Sequence, residues 1–112
     1  MAVAYLTKQL VGSGTISSYT NLYATGASTT AIVSSVIICN EAASAVTVRV
    51  GVSPTNGTTA PASGKFLLYD RTVAANDTLI LNMPLTLGNT AYLNCSSSAA
   101  TCTFTAGVAE VS

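Results

Sequence analysis

Apolar and polar residues alternate with a period of two along most of this chain. The clearest stretch is VTVRVGV. Val46, Val48, Val50 and Val52 fall on one face, and Thr47, Arg49 and Gly51 on the other. That is the pattern of a strand with one face against a core. No segment sustains the helical period. Strands are predicted near Ala4–Val11, Thr20–Ala24, Thr30–Cys39, Ala45–Val52, Lys65–Thr72, Thr78–Met83, Thr90–Cys95 and Cys102–Val111. Gly, Asn, Ser and Pro punctuate them, most densely in SPTNGTTAPASG, a long loop from Ser53 to Gly64. Eight short strands separated by turns imply an all-β fold, a single antiparallel β-sandwich of jelly-roll type spanning 1–112. Residues 1–20, rich in Gly, Ser and Thr beyond Val11, are expected to be a looser N-terminal arm or a first strand with its loop.

The third strand departs from simple alternation. AIVSSVIIC carries apolar residues on both sides. Val33 and Ile37 are expected on one face, and Ile32, Val36 and Ile38 on the other. One face serves the core; the second needs a cover, from a loop or a sister subunit. Ile32, Val36 and Ile38 are therefore candidate interface residues. Arg49 joins them from the polar face of its strand, and Asn56 and Thr58 from the tip of the long loop.

Composition sharpens this. Only 7% of the 112 residues are charged, and the charges cancel; soluble domains average about 25%. Mean hydropathy is +0.52. Without a basic patch, phosphate-driven contact with nucleic acid is not expected. No apolar run reaches the roughly 18 residues that span a bilayer, and the N-terminus lacks the pattern of a signal peptide, so no membrane association is expected. A weakly charged chain with this much apolar strand surface is poorly protected against association. The surface is expected to be covered by further copies or by a larger assembly.

Candidate chemistry is sparse. There is no histidine, so neither a Cys–His nucleophile nor a tuned imidazole is available. Asp70 and Asp77, in YDRTVAAND, read as strand-end and turn residues. Three glycosylation sequons begin at Asn56, Asn76 and Asn94; a chain rich in Ser and Thr acquires them by chance. The five tyrosines would make a sugar-binding platform if clustered and exposed; the favoured reading is rings packed at a sheet edge or interface, their hydroxyls hydrogen-bonded. Cys95 and Cys102 flank six small residues. If Ser96 to Thr101 is a hairpin loop, the two thiols oppose each other and point inward. Buried thiols, a cross-strand disulfide and a metal clip are the alternatives; the last lacks the four ligands structural zinc takes. No cofactor, metal or catalytic residue is expected.

An ordered set of phrases resembles small virion structural proteins of tailed bacteriophages. They are NLYATGASTTAIVSSVIICN, ASAVTVRVGV, FLLYDRTVAANDTLIL, PLTLGNTAYLNCSS and the terminal GVAEVS. The resemblance implies an all-β sandwich built into a phage particle, with no catalytic residues to carry over. It leads to the expectation of a head decoration, or cement, protein. Such a protein would act as a homo-oligomer, a trimer for choice, seated on the major capsid protein in the virion after assembly in the host cytoplasm. The alternative is a tail, neck or fibre subunit contacting a host surface glycan.

Overall fold

The computed structural model describes residues 3–26, 28–53, 61, 65–82, 85–88 and 91–111. These form nine strands and, among the described residues, no helix. The strands are β1 (Val3–Val11), β2 (Thr20–Ala24), β3 (Thr30–Asn40), β4 (Val46–Ser53), β5 (Phe66–Val73), β6 (Thr78–Leu81), β7 (Leu85–Leu87), β8 (Tyr92–Ser97) and β9 (Cys102–Val111).

Two antiparallel sheets face each other. The first runs β1-β9-β3-β6, with β7 also paired to β3; the second runs β2-β8-β4-β5. The chain passes from one sheet to the other at β1–β2, β2–β3, β3–β4, β5–β6, β7–β8 and β8–β9. These crossings produce the interleaved order of a jelly roll. β6 and β7 behave as one broken edge strand. β6 pairs with Val36–Cys39 and β7 with Ala31–Val33, successive lengths of β3. Between them the sequence carries Pro84, which has no N–H to give a ladder. The strand expected over Thr78–Met83 is seen as far as Leu81, Met83 lying outside the described residues, and β7 is a strand where the sequence reading placed none.

The core lies between the sheets. Phe104, Ile38, Leu93, Val33, Val36, Val48 and Val50 are its largest fully buried apolar side chains. β9 alternates as its sequence predicts: Cys102, Phe104, Ala106 and Val108 point in, and the residues between them are half-buried. β4 does the same with Val46, Val48 and Val50. Val52 keeps this phase but is only half-buried, because it sits at the mouth of an end cavity of about 310 Å³ with Leu67, Leu85 and Leu87. Gly51, on the opposite face, is buried where Pro61 rests on it. A Cβ there would lie 2.6 Å from the proline Cγ, so no larger residue fits.

β3 corrects the sequence reading. Its pairing with β9 slips between Val33 and Ser35. This bulge inserts one residue and reverses the alternation beyond it. Ala31, Val33, Val36 and Ile38 consequently all face the core, while Ile32 and Ile37 face out. Val36 and Ile38 are not on an outer face with Ile32. They are core residues, 2% and 0% exposed.

One end of the sandwich is tied together by Asn40, itself buried. Its Nδ2 donates to the carbonyls of Ser44, Val73 and Ala74 at 3.0, 3.3 and 3.2 Å. Its Oδ1 accepts from the Ala42 amide at 3.0 Å and from Thr101 Oγ1 at 3.4 Å. Three connections thus converge on one carboxamide.

Candidate functional site

Strand polarity leaves each sheet an outer face, and the two differ in chemistry. On the β2-β8-β4-β5 sheet the outer face is built around Arg49, in the middle of β4. Its side chain is only 16% exposed. Nε donates to Asp70 Oδ1 at 2.7 Å, and Nη1 donates to the Tyr19 hydroxyl at 3.0 Å. The guanidinium carbon lies 4.2 Å from the centre of the Tyr69 ring, within cation–π range. Tyr69 in turn meets Phe66 edge-on at 4.8 Å, and Phe66 meets Tyr19 at 6.3 Å. Asp70, and then Tyr19, hold the guanidinium's pKa above its ordinary value. Ser96 is paired in register with Arg49; its Oγ is buried with no partner among the described residues.

Asp70 reaches Arg49 because β5 is irregular there. The β4–β5 register shifts between Val48 and Val50 and again between Val50 and Gly51. Asp70 itself takes a left-handed backbone, φ 53°, a conformation Asp tolerates better than most residues. The sequence reading of Asp70 as a strand-end residue missed this ion pair, and it missed Phe66. The one available signal was an arginine on the polar side of an otherwise valine strand. Arg49→Ala should lower stability by about 1–2 kcal/mol, from a partly buried ion pair and a cation–π contact. Arg49→Glu should cost more, since it sets two carboxylates face to face. Urea unfolding of both variants checks this; equal effects would show the ion pair contributes nothing.

The outer face of the β1-β9-β3-β6 sheet carries no charge. One row across it reads Thr86, Ile32, Ala109, Tyr5, and another Ile80, Ile37, Thr105, Gln9. Tyr5 is 82% exposed and Ile80 60%, and Ile32 and Ile37 are exposed beside them. Lys8 and Glu110 belong to the same sheet but point toward the interior side. There they line a groove of about 440 Å³ between the edges of β1 and β2. Tyr23 donates its hydroxyl to the Glu110 carboxylate in that groove. Burial first, and the neighbouring carboxylate second, push the Tyr23 phenol well above its ordinary pKa.

The candidate residues thus disperse. Ile32 is on the uncharged face, Arg49 on the opposite one, and Val36 and Ile38 are in the core. Asn56 and Thr58 lie outside the described residues. Asn94, the third sequon, is fully buried.

Cys95 and Cys102 do not oppose each other across a hairpin. β8 and β9 belong to different sheets, so the link between them is a crossover. Cys95 is in register with Val50 and Thr20, and Cys102 with Asn40. Both are buried, and all three cysteines are free thiols. Burial pushes the Cys95 thiol up to about 12, and raises Cys102 as well. Among the described residues no cluster of His, Cys, Asp or Glu could hold a metal. At pH 8, iodoacetamide should modify half-buried Cys39 first and leave Cys95 and Cys102 unmodified until the protein is unfolded, as peptide mass mapping would show. Rapid labelling of Cys95 in the native state would contradict this packing.

No protein-family model matches the chain, and no curated protein does. Solved structures do. A chain in the acid-stable capsid of Helicobacter pylori bacteriophage KHP30 matches all of this chain over 94% of its own length, with 13% identity and a TM-score of 0.53. The infectious bursal disease virus VP2 subviral particle matches 97% of this chain at 10% identity and a TM-score of 0.56. The T13 particle of that virus matches 96% at 9% identity and a TM-score of 0.55. This chain spans about a third of those two viral chains, at 31% and 30%. Likeness at these identities shows the fold: an all-β sandwich of the kind found in viral capsid structures.

Proposed function

We propose that this chain is a non-catalytic structural protein of a bacteriophage particle, and specifically a capsid decoration or cement protein that stabilises the head shell. The observation that carries this reading is the end-to-end likeness in fold to a chain of nearly equal length in a phage capsid structure. The uncharged outer face supports it. A surface bearing Tyr5, Ile32, Ile37 and Ile80 loses little by leaving water, because no ionised group must be desolvated with it. At about 25 cal/mol per Å² of apolar area, covering several hundred Å² favours docking by several kcal/mol before the cost of association. The partners are further copies of the chain and the shell protein.

Copy number in purified particles tests the assignment. Hundreds of copies per particle place the protein on the shell. A dozen or fewer place it in the tail or neck, and absence from particles overturns the virion role.

A further inference from the structure

We propose that β1 is a docking edge for a second copy of the chain, the two β1 strands pairing antiparallel about a two-fold axis at Thr7 and joining two sheets into one.

The two sheets have four outer edges, and three are blunted against strand pairing. β2 is five residues long and bulged between Asn21 and Tyr23. β5 has two register shifts and carries Asp70 and Arg71. The β6–β7 edge is broken into pieces of four and three residues. Short, bulged, charged or interrupted strands are the usual defences of an open edge. β1 has almost none of them. It is nine residues long and holds an unshifted register with β9 from Val3 to Val11. It contains no Pro or Gly, and no described strand pairs with its other side. Its one charge, Lys8, points off the outer face toward the groove.

The backbone fixes which groups are free. Gly12 N donates to Cys102 O at 2.7 Å, one step beyond the Val11–Thr103 pair. Hydrogen-bonded and non-hydrogen-bonded pairs alternate along an antiparallel ladder. Leu10, Lys8, Leu6 and Ala4 therefore bond to β9, and Val11, Gln9, Thr7, Tyr5 and Val3 aim their N–H and C=O groups at the open side. An axis at Thr7 sets Thr7 against Thr7, Tyr5 against Gln9 and Val3 against Val11. Every outward donor and acceptor on both strands then has a partner. Lys8 falls opposite Leu6. Moving the axis one residue, to Lys8, shortens the ladder and stacks two lysines, a repulsive pair. The sequence of β1 thus selects the register that uses its whole length. The uncharged outer face continues unbroken across the joint. The contact is two-fold and so builds even-numbered assemblies, in place of the trimer expected from the sequence. It stands independently of the virion assignment.

Light scattering on the purified full chain should give a dimer or a multiple of it. Thr7→Pro removes an N–H that points away from β9, so the β1–β9 ladder keeps its bonds. That variant should be monomeric at concentrations where the wild type is paired, with an unchanged circular dichroism spectrum. Thr7→Cys should form a disulfide-linked dimer on mild oxidation, while Ile80→Cys, also exposed but at the far edge, should not. A monomeric wild type at high concentration overturns the proposal. So does an oligomer that survives Thr7→Pro, or a Thr7→Cys variant that does not crosslink. If Thr7→Pro fails to fold, the cysteine pair decides.

Discussion

Val50→Asp should yield no folded protein, and Val48→Asp should behave the same way. Both valines are 0% exposed, and each points from β4 into the space between the sheets. Val50 is flanked in register by Cys95 and Leu68, and Val48 by Ser97 and Arg71. Arg71, opposite Val48 in register, is exposed on the edge strand, outside the fully buried space that Val48 fills. A carboxylate in this core finds no cation and few donors. It must stay charged at high cost or take up a proton, and either penalty is comparable with the whole stability of such a domain, about 5–15 kcal/mol. Expression of each variant, followed by circular dichroism of any soluble fraction, checks the outcome. Soluble, native-like protein would mean that β4 runs in the opposite phase. Val→Thr at the same positions nearly conserves shape and should give folded but weakened protein.

Phe104→Ala should fold, but with about 3–5 kcal/mol less stability. Phe104 is the largest fully buried side chain. It lies on β9, an inner strand of its sheet, between Ile38 of β3 and Leu10 of β1. Its neighbours are held by ladders on both sides and cannot collapse into the space a ring leaves. The loss should appear as a lower urea midpoint with nearly unchanged slope, since the surface exposed on unfolding barely alters. A loss below about 1 kcal/mol would mean that the sheets close over the gap.

All three residues were legible in the sequence, and for one reason. A strand that buries one face must alternate, and β4 does so from Val46 to Val50 and β9 from Cys102 to Val108. The sandwich class followed from the number and spacing of such runs. What local pattern does not encode is where a strand goes next. Cys95 and Cys102 flank a short, Ser-rich link that reads as a hairpin, yet the chain crosses between sheets there. β3 misled differently. Its two adjacent serines hide a bulge, and one inserted residue carried Val36 and Ile38 from the expected outer face to the core. The Arg49 cluster needed Tyr19 from the loop before β2, and Phe66, Tyr69 and Asp70 from β5. Those residues are distant in sequence and meet only when the second sheet closes. Asp70 also needed a left-handed backbone that no pattern of hydrophobic residues announces.

Asn40 carries a consequence of its own. A lone side-chain amide fastens the β3–β4 connection, the β5–β6 turn and the β8–β9 crossover. Main-chain bonds from Asn40 to Asp77, from Glu41 to Thr101 and from Asn76 to Ala42 knit the same three segments. They cannot fray one at a time: peeling any of them strands donors that the others need. That pole of the molecule therefore opens as a unit or stays shut.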